Sequence, residues 1–226
     1  MMEQQLSMPG KPPHKEPRSS FLHFPAYVIS VIFHPLFVPT IATYYLTFMQ
    51  PGIFTGISVS EKLMIIARVA YNTIFFPALT IFLLRALGFI KSIFLRTKTE
   101  RIIPYVATNL FYFWMYLVFR NQSYIPSELT AYIFGIFITS SLALLANIYF
   151  KISMHALGMG SLCGLALCII LLDSPYSSFV TTMTIVLLTG VVCSSRLLAS
   201  DHTPFHIYTG LAVGIVSVFM GFAIVM

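Results

Sequence analysis

Apolar and polar residues come in long blocks along this chain, not in the alternating rhythm of a half-buried strand. A bilayer core of about 30 Å needs about 20 mostly apolar residues in a helix. Seven runs meet or approach that length: 24–49, 63–87, 103–119, 129–150, 155–172, 178–195 and 205–226. The fifth and sixth are short, so six spans is the alternative count. The period-two alternation of a membrane β-barrel is absent, and no internal repeat is visible. The pattern predicts an all-α fold, a polytopic transmembrane helical bundle of six or seven spans in one domain over 24–226. His34-Pro35 and Pro39 predict a kink in the first span. Residues 1–23 are polar, with Pro9, Pro12, Pro13, Pro17, Lys11, Lys15 and Arg18. They hold too few apolar residues for a core and are expected to form a disordered basic tail. The run that follows is too long and proline-containing for the core of a signal peptide, and no small-residue cleavage pattern precedes it.

Composition turns that pattern into an exclusion. Of 226 residues, 58% are hydrophobic and 9% charged, against about 25% charged in a soluble domain. A chain so poor in charge cannot cover a water-facing surface. Thirteen Lys and Arg outnumber seven Asp and Glu, yet the basic residues flank apolar runs and form no stripe for nucleic acid, so no nucleic-acid partner is expected. With the tail inside the cell, the cytoplasmic segments hold Lys11, Lys15, Arg18, Arg85, Lys91, Arg96, Lys98, Arg101, Lys151 and Arg196, and the opposite side holds Lys62 and Arg120. The positive-inside bias therefore predicts a multi-pass cell-membrane protein with a cytoplasmic N-terminus. Arg68 alone among the charged residues lies well inside a run, near an end that lets it snorkel. Cys163, Cys168 and Cys193 sit in apolar runs with no metal-knuckle spacing and read as packing residues.

Seven alternating spans put the second, fourth and sixth connections on one membrane face, and these carry the chemistry. The second holds Lys98, Glu100, Arg101 and Pro104; the fourth, Lys151, Ser153 and His155; the sixth, Ser195, Arg196, Asp201, His202 and His206. The opposite connections contain no histidine and little charge. Ionisable groups at a membrane boundary are costly and mark candidate functional sites.

These residues resemble the type 2 phosphatidic acid phosphatase family over roughly 96–210. That family carries a Lys with an Arg-Pro pair seven residues on, then Pro-Ser-Gly-His, then Ser-Arg-x5-His-x3-Asp. Ser195-Arg196 followed by five residues and His202 matches the third pattern up to its histidine. Ser153-Met154-His155 is similar to the second, with Met for Gly and Ile152 for Pro. Lys98, Arg101 and Pro104 are a compressed version of the first. The family's closing Asp is replaced by His206. The resemblance implies a metal-independent phosphatase or phosphotransferase acting on a lipid phosphate or pyrophosphate, with no cofactor. It implies that His202 attacks phosphorus to give a phosphohistidine, that His155 protonates the leaving alkoxide, and that His206 or Asp201 orients the nucleophile. Lys98, Arg101, Ser153, Ser195 and Arg196 would hold phosphate. The residue types suit that task on their own terms, since phosphoryl transfer is catalysed by positioning and by fixed positive charge around the equatorial oxygens.

Each residue also has a plainer role open to it. His155 reads equally as a boundary histidine in a structural hydrogen bond, and His202 as a helix-start residue. Asp201 or Thr203 fits the N-cap of the last helix, because Pro204 is tolerated only in a first turn. Lys98, Arg101 and Lys151 can anchor the bundle to lipid headgroups, and His206 can be buried in it. Two other functions share these residues: a lipid-binding scaffold or transporter on the same bundle, and a zinc hydrolase using His202 and His206 at i, i+4 spacing with Asp201 or His155. Lipid identity and oligomeric state leave no mark on the sequence.

Overall fold

The computed structural model of the chain describes residues 20–50, 52–91, 98–172, 175–199 and 203–226, with side chains described except at 20–23, 98, 175–178 and 199. The assigned tail lies outside the described residues up to position 19. Positions 20–23, placed in the tail by the sequence pattern, are instead helical, the first turn of the α-helix Ser20–Ile32. The described residues contain helices and turns but no strand. The fold is an all-α transmembrane bundle.

The described residues form nine α-helices, in order α1 (Ser20–Ile32), α2 (Val38–Tyr44), α3 (Val59–Ala70), α4 (Phe76–Ala86), α5 (Lys98–Arg120), α6 (Ser127–Tyr149), α7 (Met154–Leu172), α8 (Pro175–Ala199) and α9 (Pro204–Val225). Among the described residues, six stretches are long and apolar enough to cross a bilayer: Val59–Ala86, Thr99–Arg120, Ser127–Tyr149, Met154–Leu172, Phe179–Leu198 and Pro204–Val225. The two short runs at 155–172 and 178–195 are both among them. The run at 24–49 is instead broken. α1 ends at Ile32, and α2 begins at Val38 with Pro39 in its first turn before widening into a π turn over Tyr45–Met49. Pro35 disfavours helix at His34, and neither Pro35 nor Pro39 has an N–H to continue the ladder.

A second π turn, Tyr71–Phe75, joins α3 to α4. It lies immediately before Pro77, which has no N–H to return to the carbonyl of Thr73; an extra residue per turn is a common way to accommodate such a loss. The turn meets α2 where the hydroxyls of Thr40 and Thr73 stand 3.5 Å apart.

α7 is the most buried helix and touches α2, α6, α8 and α9. Its tightest neighbour is α9, and glycine makes that approach possible. A Cβ added at Gly160 would lie 2.4 Å from the Leu211 carbonyl oxygen, and one at Gly214 would lie 2.4 Å from that of Leu157. Gly221 on α9 is pressed in the same way against Ala131 and Gly135 of α6. Helices in lipid gain little from hydrophobic association, so close backbone packing between small residues carries much of the stability. Polar glue adds to it where the Ser140 hydroxyl of α6 donates to the Asn109 side chain of α5.

Gly214→Ala is expected to destabilise the bundle by about 1–3 kcal/mol, the usual range for overpacking. Gly190→Ala on α8, where nothing lies within 4 Å of the added carbon, is expected to be neutral or slightly stabilising. Reversible denaturation in mixed micelles measures both.

Candidate functional site

The ends of α5, α7 and α8 meet the break between α1 and α2 around one cavity of about 460 Å³, within the range of about 300–1,000 Å³ usual for ligand sites. Arg101, His155 and Arg196 line it, one from each of the three connections that the sequence placed on one face, together with Ser30 and His34 from the broken segment. The walls then run inward along α5 from Arg101 to Tyr112, which at 1.5 Å rise per residue is a depth of about 16 Å. Apolar side chains such as Pro77, Ile81 and Ile136 line this deeper part, together with the hydroxyls of Thr108, Tyr112, Thr139 and Ser140. The space is cationic at one end and mainly apolar at the other. Among the described residues that line it, none is acidic. Glu100, a neighbour of Arg101 in sequence, turns to the preceding loop, where its carboxylate accepts the Lys91 N–H at 3.1 Å.

Hydrogen bonds at the cationic end centre on Ser30. Near the close of α1 its carbonyl has no helical donor to meet, because the His34 N–H goes to Val31 instead at 3.3 Å. The His155 ring fills that place, with Nε2 2.9 Å from the Ser30 oxygen. A carbonyl only accepts, so Nε2 carries the hydrogen. The Ser30 hydroxyl donates to the Ala26 carbonyl at 2.9 Å and accepts from an Arg196 guanidinium nitrogen at 3.0 Å. The His34 ring stands edge-on to that of His155, centroids 5.7 Å apart at 82°, and its Nδ1 accepts the Leu36 N–H at 3.4 Å. Across the mouth, the Tyr105 hydroxyl donates to the sulfur of Met154.

The other candidates fall elsewhere. Ser153 is fully buried, its hydroxyl accepts the Ala156 N–H at 3.4 Å as a cap for α7, and its own N–H donates to the His206 carbonyl. The Ser195 hydroxyl is buried and donates to the Val192 carbonyl at 2.7 Å. His206 does not line the cavity. Its ring stacks on Phe150 at 5.9 Å and 5°, and its Nδ1 accepts the Thr203 N–H at 3.4 Å in a capping box whose N-cap is Thr203. The expected N-cap before Pro204 is thus Thr203. Lys98 opens α5, but its side chain is outside the description. Asp201 and His202 lie outside the described residues. Among the described residues, no three of His, Cys, Asp and Glu cluster as metal ligands would.

Ser30 and His34 were not singled out from the sequence as site residues. The one available signal was a histidine at a proline break inside an apolar run, which reads first as a kink. His206→Ala is expected to remove the stack and the ring's half of the capping box while keeping the Thr203 hydroxyl bond, at a cost of about 1 kcal/mol, and His206→Glu to restore that half, as Glu is a preferred partner in a capping box. Thermal unfolding in detergent resolves the difference.

Compared with known proteins, the chain matches no family model, no curated protein and no solved structure.

Proposed function

We propose that this chain is a divergent member of the type 2 phosphatidic acid phosphatase family. In this reading it is a membrane-embedded phosphatase or phosphotransferase for a lipid phosphate or pyrophosphate. The observation that carries the reading is the convergence of Arg101, Arg196 and His155 on one cavity with a cationic mouth and an apolar interior. Two guanidiniums suit bidentate contact with phosphate oxygens, and a cavity about half as deep as a bilayer core suits part of a lipid tail.

The chemistry follows from the resemblance. A neutral ring nitrogen of His202 attacks phosphorus as the bond to the lipid oxygen breaks, and that oxygen takes a proton from His155. Water, or an alcohol in a transferase, then attacks the phosphohistidine, gives its proton back to His155 and releases the phosphoryl group from His202. Arg101 and Arg196 stabilise the charge on the equatorial oxygens throughout. In this reading the positive-inside bias puts this end of the bundle, and the N-terminus, on the cytoplasmic side.

One observation favours a second reading, a non-catalytic lipid-binding scaffold or transporter. His155 and Arg196 both bond to Ser30 and so hold α1 against α7 and α8, which a structural role alone would explain.

Purified protein is expected to release phosphate from phosphatidic acid in the presence of EDTA. His202→Ala is expected to abolish turnover, and Arg101→Ala or Arg196→Ala to lower it by about 10²–10³, the scale for losing one transition-state donor. Phosphatidic acid binding without turnover supports the scaffold. Loss on chelation with rescue by zinc supports the metal hydrolase.

A further inference from the structure

We infer that Ser30 is a positioning residue for the cationic site, acting through two different groups on two different partners. This rests on the reading of the cavity as a phosphate site. The hydroxyl acts on Arg196. It is itself held in line by its bond to Ala26 one turn back, so it presents its oxygen to the guanidinium at 3.0 Å in a fixed direction. An arginine side chain loses considerable rotamer freedom when ordered. Fixing it before the ligand arrives removes part of that cost from binding.

The carbonyl acts on His155. By accepting from Nε2 at 2.9 Å, it selects the Nε2–H tautomer of the neutral ring and leaves the lone pair on Nδ1. A proton that the ring takes up or delivers at this geometry passes through Nδ1. The edge-on ring of His34 at 5.7 Å limits rotation of the imidazole away from this bond. The break at Pro35 is what makes the arrangement possible, because a continuous helix would return the His34 N–H to the Ser30 carbonyl.

The two groups are separable by mutation. Ser30→Ala removes the hydroxyl and keeps the carbonyl, and Ser30→Thr keeps both. The full chain is reconstituted in phosphatidylcholine nanodiscs containing phosphatidic acid, and lipid binding is titrated. In phosphatidic acid-free nanodiscs, ¹⁵N spectra of labelled histidine, assigned with His155→Gln, report the tautomer at 155. Ser30→Ala is expected to weaken phosphatidic acid binding about tenfold, the scale of one hydrogen bond to a charged group, and Ser30→Thr to restore it. His155 is expected to be the Nε2–H tautomer in all three proteins. Wild-type affinity in Ser30→Ala, or an Nδ1–H tautomer at His155, overturns the inference. If wild type itself binds no phosphatidic acid, the phosphate reading fails, and the positioning of Arg196 for a phosphate ligand fails with it. The ligand-free spectra still decide whether the carbonyl sets His155.

Discussion

A guanidinium set into an apolar helical bundle must be met by hydrogen-bond acceptors or by an anion, because no bulk water is there to solvate it. Two of them, Arg101 and Arg196, share one cavity that no described acidic residue lines. The rest of the arrangement can be understood from that constraint. It accounts for a polar residue, Ser30, buried where an apolar run would otherwise continue, and for a first run broken so that the Ser30 hydroxyl meets Arg196 and its carbonyl meets His155. The cationic end suits an anionic ligand because its described lining holds two guanidiniums and no carboxylate.

The constraint is tolerable because the helices behind it are rigidly placed. Glycines on α7 and α9 bring the two backbones together, and the same helix starts carry His155 and His206. Ser153 ties the two starts through its N–H to the His206 carbonyl. The α7–α9 pair thus fixes one side of the site, while α8 delivers Arg196 and α5 delivers Arg101. Within this scaffold His206 stacks on Phe150 and closes the capping box of α9.

Six of the spans were legible in the sequence because length and apolarity suffice to define a transmembrane helix. The convergence of Arg101, His155 and Arg196 was legible too, since alternating spans force every second connection onto one face. The broken first span was only half legible. Pro35 and Pro39 signalled a bend, but an apolar run looks the same whether its helix is continuous or interrupted. Ser30 could not be read at all: its partners lie 125 and 166 residues away in the chain, and a serine in an apolar run usually bonds only its own helix. The π turn before Pro77 and the glycine contacts between α7 and α9 also depend on which helices become neighbours, which hydropathy does not encode.

The central claim is that this cationic end receives a phosphate group. Its most direct measurement is the position of a bound tungstate or vanadate ion, a stand-in for phosphate, in an experimental structure of the full chain in lipid. The ion is expected within hydrogen-bond distance of both Arg101 and Arg196, with His155 on the same cavity wall. An ion bound elsewhere with this cavity empty, or Arg196 and His155 on opposite membrane faces, contradicts the claim.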